Sequence, residues 1–198
     1  IFKFYVWESG YLRSLDIMHD RAGYYICWGC LVWLPSIYSS STMFLVPRHI
    51  VLGTPLAATI FAFGFVFIML NWAADHQRHR VRQLWFDKKP ITVWGKKPTI
   101  IETHYKSEQG DIKETILLAS GFWGLSRHFH YLPEILGSIC WVLPCGFTHV
   151  QPWFYIVYLS ILLLERGTRD DVRCASKYGE DWKKYCKLVP YRFIPGIF

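Results

Sequence analysis

The residues best equipped for chemistry lie in the last third of the chain. Arg166, Arg169, Arg173 and Lys177 recur at i, i+3, i+7 and i+11, a spacing that gathers cations on one face of a helix with Asp170 beside them. Arg78 and Arg82, at i and i+4, repeat the arrangement on a second segment. A basic helix face is most often simply solvated. Guanidinium groups also bind phosphate bidentately, and two such faces near one another suit a pyrophosphate or a 2′-phosphate. Between them in sequence stands the run Gly121-Phe122-Trp123-Gly124-Leu125-Ser126-Arg127-His128-Phe129-His130-Tyr131. Its aromatics would serve as an ordinary interfacial anchor, but two glycines and two imidazoles are better material for a close backbone approach and polar contacts to a ligand. Glu8, Asp16, His19 and Asp20 precede the first apolar run, where they read equally as solvated flank or pocket lining.

Other chemistries leave no pattern. Cys27-Trp28-Gly29-Cys30 is formally a Cys-x-x-Cys, but it stands alone in an apolar stretch, and the six cysteines suggest neither a disulfide framework nor a metal site. There is no Gly-x-Gly-x-x-Gly, no P-loop, no Gly-x-Ser-x-Gly and no His-Glu-x-x-His, so a nucleotide would bind without a Rossmann sheet. The net charge of +7 does not indicate nucleic acid, because the cations are mixed with acids and sit beside apolar runs. Anionic lipid headgroups or a phosphorylated cofactor fit better.

The elements that position these residues are dictated by hydrophobicity. The chain is 52% hydrophobic and 19% charged, and no Asp, Glu, Lys or Arg occurs at 22–47, 49–74 or 135–164. A bilayer core about 30 Å thick takes about 20 helical residues, so 50–70 is expected to span it and 22–38 to form a second span. Pro144-Cys145-Gly146 and Pro152 cut 135–164 into two short pieces, which predicts a hairpin of half-helices. Of the 22 Lys and Arg, nine lie between Asp75 and Lys113 and eight between Glu165 and Arg192. The positive-inside bias puts both segments on the cytoplasmic face. Alternation in 99–105 and 113–118 predicts a small exposed β-hairpin there. No targeting peptide is legible at Ile1, and the chain reads as beginning inside something larger.

The run Arg166-Gly167-Thr168-Arg169-Asp170-Asp171-Val172-Arg173-Cys174-Ala175-Ser176-Lys177-Tyr178-Gly179 resembles the C-terminal signature of the sterol reductases, Arg-x-x-Arg-Asp-x-x-x-Cys-x-x-Lys-Tyr-Gly. Leu117 to Gly124, Arg127 to Tyr131, the stretch Leu15 to Gly23 and the ending Val189 to Phe198 narrow the resemblance to the Δ7 branch of that family. Two positions depart from its pattern: Glu165 stands where His, Gln or Arg is usual, and His130 where Asn is common.

The resemblance implies an all-α, multi-pass transmembrane bundle of the endoplasmic reticulum, with a short C-terminal helical hairpin and a cytoplasmic cofactor-binding tail. Residues 1–198 would be the C-terminal part of one transmembrane domain, about four membrane helices or half-helices, with the N-terminal half of the bundle absent. The implied reaction is NADPH-dependent reduction of the C7–C8 double bond of a Δ5,7-sterol in sterol biosynthesis. Its partners would be sterol, membrane lipid and other enzymes of that biosynthesis. Transferred position by position, the NADP contacts fall on Arg78, Arg82, Leu118, Trp123, His130, Tyr131, Asp170, Cys174, Ala175, Ser176, Lys177, Tyr178 and Tyr185. Reducing an unactivated alkene also needs a proton donor, for which Asp170 and Tyr11 are the candidates, with Glu8 and Asp16 behind them. The alternatives are a Δ14-sterol reductase, a membrane isoprenylcysteine-type methyltransferase using S-adenosylmethionine, and a non-enzymatic scaffold resembling the lamin B receptor. The methyltransferase reading expects Arg-His-Pro where this chain has Phe129, and its cofactor would leave the arginines without a phosphate.

Overall fold

A computed structural model describes Leu12, residues 23–106 and residues 110–197. Tyr11, Glu8, Asp16, His19 and Asp20 lie outside the described residues.

Apolar composition gives the dominant element, α3 (Thr54–Phe86). It starts after Gly53 in a left-handed conformation, with Pro55 in its first turn, where a missing N–H costs nothing. Its end is a Schellman motif: Lys89 N–H donates to Leu84 O at 2.9 Å and Lys88 N–H to Trp85 O at 3.1 Å. That places Lys88, φ 54°, where glycine is usual. At 1.5 Å per residue α3 is about 50 Å long, so its apolar part can cross a bilayer while 72–86 projects beyond. Among the described residues it is the one helix long and apolar enough to do so.

The expected second span takes a different form. It is a short α1 (Tyr24–Trp28), a π-helical stretch Gly29–Tyr38 containing Pro35, and then α2 (Ser40–Leu45). Proline removes a backbone donor, and the wider π turn accommodates the defect. The count of about four membrane helices is therefore not visible in helix length alone.

The hairpin over 135–164 does form. α5 (Tyr131–Val142) passes through a 3₁₀ turn at Leu143–Cys145, and after a loop and a second 3₁₀ turn, Gln151–Trp153, the chain returns as α6 (Phe154–Tyr178). Helix α6 runs unbroken from the apolar residues into the basic face. α5 packs on α3 at glycines, where a Cβ added to Gly64 would lie 3.4 Å from Cys140 Cβ and one added to Gly137 3.6 Å from Phe67 Cβ. Small residues at such a crossing let the backbones approach.

The fold is not wholly α. β1 (Ile100–Lys106) and β2 (Ile112–Leu118) pair antiparallel, with Ile100 opposite Leu118 and Lys106 opposite Ile112. The hairpin was expected, its burial was not. Side chains alternate across a strand, so Ile116 and Leu118 enter a cluster with Val81, Val93 and Trp123. Leu117 points the other way, against Trp182, Tyr185 and Val189. A strand covered on both faces reads as a continuous apolar run, which is what Ile116-Leu117-Leu118 is.

After α4 (Phe122–Leu125) and α7 (Glu180–Leu188), the chain's last part straps back beneath the aromatic run. Arg127 N–H donates to Tyr191 O, His128 N–H to Arg192 O and Ser126 Oγ to Phe193 O. Phe193 fills a buried cluster with Tyr131, Leu159 and Leu163. It fits because residue 167 is glycine: an added Cβ would lie 2.5 Å from its ring.

Candidate functional site

These elements enclose a cleft of ≈ 1320 Å³ that runs from the projecting end of α3 down between α3 and α5. Its upper end is cationic. Arg78 and Arg82 enter from α3, and Arg166, Arg173 and Lys177 from α6. Arg78 is aimed by two contacts, an ion pair with Asp75 at 3.2 Å and its guanidinium 4.1 Å above the Trp123 ring. Trp123 is itself fixed, its Nε1–H donating to Ala74 O at 2.8 Å while its carbonyl accepts from the Tyr185 hydroxyl at 3.2 Å. The Lys177 ammonium lies 3.6 Å from the Tyr105 ring centre, which ties the β-hairpin to the site.

The cations are held at a cost. Burial and then the Arg78 charge push Arg82 below its ordinary value. Lys177 is lowered by burial and then by Arg173, with Arg82 adding to the effect. Positive groups that destabilise one another in a cleft describe a site for an anion. One Arg173 Nη is buried without a hydrogen-bond partner among the described residues.

Below the cations sits the aromatic run. Gly121, φ 65°, has Gln77 so close that a Cβ would fall 2.2 Å from its Oε1, and that oxygen accepts from Phe122 N–H at 2.9 Å. The turn brings His130 and Tyr131 to the cleft, ring centres 4.3 Å apart. The His130 carbonyl accepts from Asn71 Nδ2 at 2.9 Å, whereas its buried Nδ1 has no hydrogen bond among the described residues. Burial, then Arg78, His128 and Arg166, hold the imidazole well below its usual value of 6.5, so it is neutral at physiological pH.

Of the residues singled out from the sequence, Arg78, Arg82, Leu118, Trp123, His130, Tyr131, Asp170, Cys174, Lys177, Tyr178 and Tyr185 all line this one cleft. Ala175 and Ser176 do not; both are exposed. Each residue turns a helix by about 100°, and one or two steps past Cys174 carry them off the cleft face. Arg169 also leaves the expected face, pairing with Glu165 at 3.3 Å on the exposed side. Of the two candidate proton donors, Asp170 lines the cleft and Tyr11 lies outside the described residues. The Cys174 thiol is pushed up to about 12 by burial and by Asp170, which keeps it protonated and unreactive.

The neighbour of Asp170 does what the sequence did not announce. Asp171, its side chain 11% exposed, meets Arg192 Nε at 2.6 Å, Arg127 Nε at 3.5 Å and His128 Nε2 at 3.7 Å. Burial alone would raise its carboxyl, but the adjacent His128 imidazole and the two guanidiniums outweigh it and hold the group below its ordinary value. His128 in turn stacks on Tyr131, interplanar angle 6°. Also unannounced are Glu134, Ser138, Tyr155 and Tyr38, which line the cleft below Tyr131. Helical periodicity from Tyr131 would have found Glu134 and Ser138, but nothing in the sequence links them to Tyr38.

Comparison with known proteins gives this geometry its setting. The family model described as Ergosterol biosynthesis ERG4/ERG24 family matches residues 1–198. The chain belongs to that family. It is 48% identical over 196 residues to a 7-dehydrocholesterol reductase of Arabidopsis thaliana, covering 99% of this chain and 45% of that one. It is 42% identical over 191 residues to a 7-dehydrocholesterol reductase of Danio rerio, covering 96% and 39%. It is 37% identical over 198 residues to a Delta(14)-sterol reductase of Methylotuvimicrobium alcaliphilum, covering 100% and 44%. The chain thus spans less than half the length of these relatives.

Proposed function

We propose that the chain carries the cofactor end, and part of the sterol end, of a reductase that uses NADPH to saturate the C7–C8 double bond of a Δ5,7-sterol in the endoplasmic reticulum membrane, in company with other sterol-forming enzymes. The observation that carries this reading is one cleft whose upper end is cationic and aromatic and whose lower walls are largely hydrocarbon. The Δ7 assignment is favoured over Δ14 by identities of 48% and 42% against 37%.

The residues present suit the cofactor. Arg173, with a buried Nη lacking a hydrogen bond, and the crowded Arg82 and Lys177 would take phosphate charge. Trp123, held rigidly under Arg78, offers a ring face, and the unpartnered Nδ1 of neutral His130 can accept a hydrogen bond, as from an amide. When bound, reduced nicotinamide supplies the hydride. This chain supplies the rest. The cation cluster fixes the long axis of the ligand, and the packing of Tyr131 on His128 fixes one wall of the reacting region. Asp170, facing the cleft, would be the candidate among the described residues for the group that hands a proton to one alkene carbon, the other carbon taking the hydride, so that two C–H bonds replace the double bond. The apolar lower walls exclude water from that step.

Two measurements on detergent-solubilised protein test the reading. Binding of NADPH should exceed that of NADH at least tenfold, and Arg173→Gln should weaken NADPH far more than NADH. Mass spectrometry should show 7-dehydrocholesterol reduced and a Δ14-sterol left intact. Equal affinity for the two dinucleotides, or reduction of the Δ14-sterol alone, would refute it.

A further inference from the structure

The lower part of the cleft holds a polar group that neither the cation cluster nor the proton transfer uses. On α5, Tyr131, Glu134 and Ser138 succeed one another on the cleft side, and Ser138 lies about 10 Å deeper than Tyr131 along the axis. The walls at that depth are otherwise largely hydrocarbon, among them Phe61 and Ile68 of α3. Ser138 is buried and lines the cleft together with Tyr155, while the Tyr38 ring meets Tyr155 edge-on at 5.3 Å. Three hydroxyl-bearing side chains from three separate elements thus converge beside one cavity.

We propose that Tyr38, Ser138 and Tyr155 form the subsite that holds the hydroxyl of the sterol, an inference that rests on the function proposed above. Polar side chains at membrane depth are costly unless partnered, and they tend to mark ligand contacts. Ser and Tyr hydroxyls each donate and accept, so the group has the capacity to pair with a ligand hydroxyl. A sterol is a rigid hydrocarbon with a single hydroxyl, and a largely hydrocarbon slot with one local polar cluster, Glu134 at its upper edge, matches it. The distance from Tyr131 is on the scale of a fused-ring nucleus. Fixing the hydroxyl there fixes which ring faces the aromatic run, and therefore which double bond is reduced.

The test is a comparison of two ligands in two proteins. Intact protein in detergent micelles is titrated with 7-dehydrocholesterol and with its 3-deoxy counterpart, as wild type and as Tyr155→Phe, and NADPH affinity is measured in parallel. Tyr155→Phe should bind the hydroxysterol about tenfold more weakly, leave the deoxysterol unchanged and leave NADPH unchanged. A loss of equal size for both sterols, or no loss for either, overturns the subsite and leaves the proposed function standing. Wild-type protein that binds neither NADPH nor sterol overturns the proposed function and the subsite with it. Should Tyr155→Phe lose NADPH binding through misfolding, Ser138→Ala carries the same comparison with the same two outcomes.

Discussion

Two adjacent carboxylates, Asp170 and Asp171, differ by one step of helix and by everything else. Asp170 faces the cleft, and Asp171 lies among Arg127, His128 and Arg192 behind it. The signature spacing made Asp170 legible. No spacing announces Asp171, because its partners come from positions 127, 128 and 192. Replacing it by Asn takes this counterion from the buried Arg127 and the partly exposed Arg192, and such a loss costs about 3 kcal/mol. Chemical denaturation of Asp171→Asn should show that deficit, together with weaker NADPH binding through the loosened His128–Tyr131 stack. His130 sets the acid limit. Its imidazole is held below 6.5 in the folded chain, so below that pH the unfolded chain binds a proton the folded one refuses, and stability falls as pH drops. The thermal midpoint should decline between roughly pH 6.5 and pH 5, and His130→Asn should remove up to about 1.4 kcal/mol per pH unit from the slope.

At the level of elements, what could be read from the sequence was set by local periodicity. The long apolar α3, the break at Pro144 and the β-hairpin are each written in a contiguous stretch, and each is present. The π-helical form of 29–38 and the double burial of β2 were not legible, because they depend on what packs against them. The glycines have the same dual character. Gly121 was legible as a site of close approach, but its partner Gln77 was not. Alanine at 121 would combine a left-handed backbone with a 2.2 Å clash, and we expect a loss of about 1–3 kcal/mol. Gln77→Ala should relieve the clash while forfeiting the hydrogen bond to Phe122, so the double variant should be less than additively destabilised. Melting curves of the two single variants and the pair decide it.

The whole molecule joins two environments through one cleft: cations from α3 and α6 above, and an apolar slot between α3 and α5 below. Its walls are drawn from positions as far apart as Tyr38 and Tyr185, which is why the sequence disclosed the lining residues as separate islands and not as one cavity. The strap of residues 189–193 closes this arrangement last. The Arg127 and His128 N–H groups find backbone acceptors in Tyr191 and Arg192, and Phe193 wedges against Gly167. During synthesis those residues leave the ribosome after every helix described here, so on the proposed function the nascent chain can insert its apolar segments well before its cleft is closed around a dinucleotide. Ribosome-stalled chains halted before residue 189 has emerged should therefore be membrane-integrated yet blind to the cofactor.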